Sequence, residues 1–518
     1  MKYPSIFNDV IGPVMRGPSA SHCAASVRIG RIVRDLMSDN ISHVIIEFDK
    51  KGSLAHTHKT HGSDIGLFAG FLGMDVTDKR LAESERILKE SGISVEIKIS
   101  GFKAEHPNTY KIIAENSSGQ HQITAVSTGG GMIEVIEIDG VPISIEGDYF
   151  ETLVFPDFSS EIILKYLKKN IEADEIILLN GKQSQIIEIK GKSFLDQNLF
   201  KELKNQFAVK DIKSISPVLP VLSGKEINVP FITCTEMLEY NKDKKMELWE
   251  LAVDYECKRG NFSEEKVFNM MAEIVDVIQN SIHDGIKGTE YSDRILKAQA
   301  GLYAEHLKNK KLLDAGILNQ IILSVTSLMD VKSSMGVIVA APTAGSCGAL
   351  PGTCMGAANS MNLAKEEIIK AMLSAGLIGI FITVRSTFAA EVCGCQAECG
   401  AGSGMAAAAL VTLAGGNLNQ AIAAASMALQ NILGMICDPV ANRVEVPCLG
   451  KNIMAASNAL SCANMALAGF DPVIPLDEVI QTMDEVGKSI PYNLRCTALG
   501  GLSITKTSKE IEKRLSER

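Results

Sequence analysis

From residue 331 on, the chain almost abandons aromatic side chains, with four in 188 residues, and is built from Ala, Gly, Ser and Met instead. Side chains this small let helices approach closely, so a compact helical domain with a buried centre is expected there. The glycine-bearing stretches 342–348 and 394–404 read as loops between such helices, where backbone groups can face a cofactor. The run 371–384 stops at Arg385, too short to cross a bilayer, and reads as a buried helix, with Arg385 either its cap or a group near the site for a second substrate carboxylate.

Cysteine gathers in the same region: nine of the twelve follow residue 330. The first helix carries Arg28, Arg31 and Arg34 and lacks the apolar core of a secretory signal, so a cytoplasmic location is expected. A disulfide framework is then improbable, leaving metal ligation, redox chemistry or plain burial. Cys393-x-Cys395-xxx-Cys399 matches neither a zinc ribbon nor the cysteine runs of ferredoxins. A net charge of −10 argues against a nucleic-acid partner, and no membrane partner is expected. The glycine-rich loops also suit a pyridoxal phosphate cradle, but no lysine stands in the serine-rich context that a Schiff base would use.

In chain order, 518 residues are too many for one core. Ala24 to Met37 has a helical apolar period, with Ser19 or Ser21 as its cap, and such a helix start suits a carboxylate. His43 to Phe48 and Val95 to Ile99 read as strands with helix between them. His56 and His58 alternate as on a strand or extended loop, and His61-Gly-Ser-Asp64 reads as a turn before a helix. Gly129 to Gly131, between two strands, is either a close approach to a ligand or a tight hairpin. From 147 to 222 the order is strand, helix, strand, strand, helix, strand, a βαββαβ split unit. A proline-rich linker follows, and then amphipathic helices such as Met246 to Cys257 and Glu264 to Ile282.

Gly394-Cys395-Gln-Ala-Glu, Cys437-Asp-Pro-Val, Val-Pro-Cys448 and Gly500-Gly501-Leu502 resemble the α domain of the iron-sulfur-dependent L-serine dehydratases. Asp9-Val-Ile-Gly-Pro, Gly17-Pro-Ser-Ala-Ser-His22, His61-Gly-Ser-Asp64, His106-Pro-Asn and Gly129-Gly-Gly131 resemble that family's β domain. The resemblance implies a multidomain α+β protein. It would comprise an N-terminal α/β domain (1–147), a small domain similar to ACT modules (148–222), a linker (223–233) and a C-terminal, mostly helical catalytic domain (234–518). Ser159 and Ser160 replace the helix-opening glycine of ligand-binding ACT modules, so a degenerate module is expected.

The resemblance further implies a 4Fe-4S cluster held by Cys395, Cys437 and Cys448, with His61 as the base. Ser19, Ser21, His22, His106, Gly129, Gly130 and Thr343 would bind the substrate, L-serine, and the chain would form a homodimer. Departures from the family pattern are Arg385-Ser-Thr-Phe-Ala-Ala390 for Asn-Ala-Ser-Ile-Ser-Gly, Ser19-Ala-Ser-His-Cys23 for Ser-Ser-Ser-His-Thr, and Cys496 for a glutamate. The chain ends without the terminal cysteine that reaches the open iron in some members, and Cys496 is read as a packed thiol, the alternative being that it replaces that ligand. Alternative readings are a cysteine desulfidase, a dehydratase of another small β-substituted amino acid, or a silent iron-sulfur or amino-acid sensor.

Overall fold

The computed structural model describes the chain apart from residues 1, 2, 13, 17–19, 39, 60, 208 and 518. It is mixed α and β, with its large sheets in the N-terminal half and helices in the C-terminal half. Two compact units emerge, one of residues 19–227 and one of residues 1–18 with 228–518.

The α/β unit carries a six-stranded sheet. From edge to edge its strands are Ser94–Ser100, His43–Asp49, Thr109–Asn116, Gly119–Gly129, Met132–Ile138 and Val141–Ile145. The first two run parallel and the rest pair antiparallel. A parallel pair needs a crossover, supplied here by helices Leu54–Thr57, Ser63–Phe71 and Ser84–Glu90. Ser63–Phe71 lies close against Ala20–Leu36: a Cβ on Gly66 would fall 2.5 Å from the Cys23 carbonyl oxygen, and one on Gly70 2.4 Å from that of Val27.

The first helix begins at Ala20, four residues earlier than its apolar period suggested, so Ser21 sits inside the first turn instead of capping it. Ser19 lies outside the described residues. His56 and His58 are not extended either. His56 is on the helix Leu54–Thr57, and His58 follows as its C-cap. The tripeptide 129–131 resolves as a tight hairpin: all three glycines have positive φ, and Gly129 pairs with Met132. Arg28, buried on the first helix, donates to the Gly131 carbonyl and ties the hairpin down.

A second, fully antiparallel sheet runs Val209–Ile215, Phe150–Pro156, Gln185–Gly191, Glu175–Asn180. Helices Ser160–Asn170 and Gln197–Gln206 complete the βαββαβ order. Alternation decides the faces. Val154, Ile187 and Ile212 meet Ile163, Leu167 and Leu203 of the helices, whereas Leu153, Phe155, Ile186 and Ile215 join the larger sheet's core.

In the helical unit, close approach is the rule. A Cβ on Gly352 would sit 2.7 Å from the Val325 Cα, and one on Gly356 2.5 Å from that of Ile321, so Ala349–Met361 lies backbone to backbone on Ile317–Lys332. In Ala401–Leu413 every residue but Thr412 is buried. Lys365–Arg385 is long and apolar enough to cross a membrane, yet 78% of its apolar window is buried inside the protein, as a core helix would be. Arg385, in its last turn, lies 3.7 Å from Asp477 of helix Leu476–Ser489.

The first residues belong to this unit. Val14–Arg16 pairs antiparallel with Val337–Val339, and the Gly12 N–H donates to Ala340. Buried Glu256 accepts from the Ser5 hydroxyl and the Ile6 N–H. The motif at Asp9 thus serves the helical unit, its carboxylate accepting from the Ser5 N–H.

Candidate functional site

The stretch 394–404 is not a loop. Gly394 alone breaks the chain, at φ +71°, where a Cβ would fall 2.7 Å from the Met435 carbonyl oxygen. Immediately after it, Gln396–Gly400 forms a π-helical turn that runs into Ala401–Leu413, a device frequent at functional sites. Glycine and alanine here allow helix contact and do not signal irregular chain.

The turn aims Cys395 at Cys437. Their sulfurs and a carboxylate oxygen of Glu398 all lie within 4.8 Å of one another. Gln396 locks this arrangement: its amide donates to the Met483 carbonyl at 2.6 Å and accepts from the Gly434 N–H at 2.8 Å. Cys437 is fixed from a third direction, since its N–H donates to Leu494 and its carbonyl accepts from the Cys496 N–H. Asp438 next to it accepts from Lys451 at 2.9 Å and from the Leu502 N–H at 2.9 Å. Gly501 must be glycine, because at φ +58° its Cβ would fall 2.6 Å from Asp438. The Cys-Asp-Pro-Val and Gly-Gly-Leu motifs are therefore two halves of one joint.

Cys448 opens the helix Cys448–Leu467. One turn on, fully buried Asn452 donates to the carbonyls of Cys448 and Gly345, both at 2.9 Å, and accepts from the Ala349 N–H at 2.9 Å. Thr343 donates to Glu398 at 2.9 Å, so it holds this carboxyl in place.

Electrostatics divide the cysteines: the neighbouring sulfurs of Cys395 and Cys496, and then burial, hold the Cys437 thiol well up. Burial pushes the Cys448 thiol up, whereas hydrogen bonds from Cys399 and Cys437 draw Cys395 well down. Lys332 is buried with its Nζ donating to Val444; burial pushes its pKa down, against the pull of Cys448, Cys347, Glu445 and Glu398. Burial works against the Lys451 charge, but the Cys395 thiolate and Asp438 outweigh it and raise its pKa. Burial, then the Cys395 thiolate, lift Glu398 to about 8. Buried soft sulfurs flanked by two lysines suit a metal-sulfur group, because binding deprotonates the thiols and leaves negative charge to be balanced. Glu398, Gln396, Asn452 and the two lysines escaped the sequence reading; for Gln396 and Glu398, adjacency to Cys395 was the available signal.

In the α/β unit, the rings of His22 and His61 lie 4.7 Å apart, and burial pushes His22 down to about 4. His61 sits in the turn ahead of Ser63–Phe71, where Gly62 takes φ +76°. His58 bonds both oxygens of Asp64 through Nδ1, at 2.7 and 2.9 Å, and stacks on Phe48. Below them Tyr110 contacts the hydroxyls of Ser26 and Ser63 at 3.0 and 3.3 Å. His106 stands in a separate loop, accepting from the Asn108 N–H at 3.1 Å. Gly129 and Gly130 are exposed at the hairpin tip.

Residues 243–503 match the family model described as serine dehydratase alpha chain. The chain belongs to this family. It is 35% identical over 285 residues to a probable L-serine dehydratase, alpha chain, of Bacillus subtilis (strain 168), covering 55% of this chain and 95% of that protein. It is 40% identical over 154 residues to the probable L-serine dehydratase, beta chain, of the same organism, covering 30% and 69%. L-serine dehydratase 1 of Escherichia coli (strain K12) is similar from end to end: 25% identical over 503 residues, 94% of this chain and 96% of that one.

Proposed function

We infer that this chain is a lyase that deaminates L-serine to pyruvate and ammonia, using a 4Fe-4S cluster held by Cys395, Cys437 and Cys448. The reading is carried by the meeting of Cys395 and Cys437 beside Glu398 in a lysine-flanked pocket of a serine dehydratase family member. When bound, the cluster would supply the Lewis acidity that makes the substrate hydroxyl a leaving group.

The chain's own residues do the rest. His61 takes the Cα proton as general base. His22, neutral at pH 7 through burial, adds no charge repulsion when its neighbour is protonated. Ser19, Ser21, His22, His106, Gly129, Gly130 and Thr343 are assigned to holding the substrate. Loss of water gives aminoacrylate, which tautomerises and hydrolyses to pyruvate and ammonia. Lys332 and Lys451 balance the charge of the ligating thiolates.

We further assign residues 1–147 and 234–518 to the family's β and α domains, 148–222 to a degenerate ACT-like module, and 223–233 to a linker. The enzyme is assigned as a cytoplasmic homodimer. Anaerobically reconstituted protein given L-serine and L-cysteine tests the function: pyruvate and ammonia from serine are expected. Sulfide from cysteine at equal efficiency, or no product from an iron-loaded protein, would overturn it.

A further inference from the structure

Three hydroxyls that never meet solvent come together in the α/β unit: Ser26, Ser63 and Tyr110 are each fully buried. Burying a polar group costs free energy that Ala or Phe at the same places would not, so their meeting calls for a purpose. Tyr110 stands on strand Thr109–Asn116, inside the six-stranded sheet, paired with Ala125. Its ring meets Phe48 edge-on at 5.7 Å, and Phe48 in turn stacks on His58, which Asp64 holds. The phenol is thus seated on the sheet before its hydroxyl reaches either helix. Burial pushes its pKa up, so the hydroxyl keeps its proton.

That hydroxyl lies 3.0 Å from Ser26 Oγ and donates to Ser63 Oγ at 3.3 Å. Ser26, one turn on from His22, donates to the His22 carbonyl at 2.9 Å. Ser63 opens the helix that follows His61, and its N–H donates to the His58 carbonyl at 2.9 Å. One phenol therefore joins the backbone that carries His22 to the backbone that carries His61, and the two imidazole rings lie 4.7 Å apart. The two helices need such a link. They touch through Gly66 and Gly70, and a Cβ on Gly30 would fall 2.7 Å from the Leu67 carbonyl oxygen. Side-chain ridges entering grooves normally fix how far one helix slides along another, and glycine offers no ridge.

We propose that Tyr110 is a positioning residue for the deamination, its hydroxyl fixing the slide between helices Ala20–Leu36 and Ser63–Phe71 and so the spacing of His22 and His61. The proposal rests on the assignment of His61 as base made above. Tyr110 acts through the two histidines and not on the substrate. A base displaced by about 1 Å can lose about 10²-fold in rate, so a single bond that holds two helices in step is worth its burial. Geometry of that precision is best held from strands and helices, and this link runs from a strand to two helices.

Tyr110→Phe keeps the ring on Phe48 and removes only the hydroxyl, while Ser63→Ala breaks the bridge from its other end, so the test stands if one variant folds poorly. Tyr255→Phe is the control: Tyr255 is as deeply buried, in the helical unit, and its hydroxyl donates to the Pro4 carbonyl at 2.8 Å. Each full-length protein is reconstituted anaerobically and assayed with L-serine across pH, turnover is expressed per iron-loaded chain, and thermal unfolding is recorded. Tyr110→Phe and Ser63→Ala should each lower kcat at least about tenfold and move the acid limb of kcat/KM, which reports the base of the free enzyme. The double variant should be no slower than the slower single one, because both changes break one bridge. Tyr255→Phe should lose stability at unchanged kcat. Unchanged kcat in both bridge variants, an acid limb that stays in place, or losses that multiply in the double variant would make Tyr110 a packing residue and overturn the proposal, leaving the base assignment intact. Near-normal turnover in His61→Ala would overturn the reading on which it rests.

Discussion

The two units build their polar centres from opposite materials. In the helical unit, Cys395 and Cys437, from segments about 40 residues apart, meet beside Glu398. Their segments are tied to distant chain by buried side chains, Gln396 to Met483 and Gly434 and Asp438 to Leu502. In the α/β unit, His58, His61 and Asp64 come from one turn of chain, with His22 from the neighbouring helix. The first centre is therefore inseparable from its fold, while the second is a local device seated on a stable sheet. Damage should spread in one and stay confined in the other.

The largest expected effect tests the first half of that contrast. Cys395→Ser, Cys437→Ser and Cys448→Ser should each lose the cluster, measured as iron and sulfide per chain and as the broad visible absorption. Retention of full iron by any of them would remove that residue from the ligand set. Next, His61→Ala should keep its iron while turnover falls by about 10²- to 10⁴-fold, the usual worth of a positioned base. Near-normal turnover would end its assignment.

Two glycines of nearly equal φ sharpen the contrast. At Gly501, φ +58°, a Cβ would strike Asp438, whereas at Gly130, φ +59°, it would meet open space. Gly130→Ala should cost only its backbone strain, about 1 kcal/mol by denaturant melts, and leave iron content unchanged. Gly501→Ala should cost about 3 kcal/mol, adding displacement of a buried carboxylate, and should weaken iron retention. Equal effects would refute the idea that the cysteine centre is coupled to its frame.

The smallest effect is a pair of opposite pH slopes. Burial lifts Glu256 of the helical unit to about 7, so between its unfolded value near 4.5 and that pH the folded state holds the extra proton. Stability supplied there is present below about 4.5 and is lost as pH rises through 7, by at most about 1.4 kcal/mol per pH unit. His22 behaves inversely. Its folded value near 4 lies below the unfolded 6.5, so the α/β unit should weaken as pH falls through that window. Glu256→Gln and His22→Phe should each flatten one slope and leave the other.

Legibility in the sequence followed the same division. The four-stranded sheet could be read strand by strand, because short apolar runs such as Leu153-Val154-Phe155 and Ile186-Ile187 are local patterns. The pair Cys395 and Cys437, which the structure brings beside Glu398, was legible through short motifs. The stretch 394–404 was misread because glycine signals a loop locally and a helix contact in three dimensions. Lys332 and Lys451 were invisible for a related reason. Nothing in their neighbourhoods distinguishes a lysine aimed at buried thiols from one in water until the distant helix that covers it is placed.

Strand Val14–Arg16 finds its partner in Val337–Val339, about 300 residues later in synthesis. At roughly 5 to 20 residues per second, a ribosome takes about 15 to 60 s to deliver that partner. Helix Lys365–Arg385, whose Gly376 and Gly379 lie against Ile6 and Val10, is made later still. The nascent chain thus carries an apolar, strand-forming tag through most of its translation. A gene split within 223–233 would leave that tag on the wrong polypeptide, so the helical half expressed alone should be short of one strand and insoluble until the tag is supplied in trans.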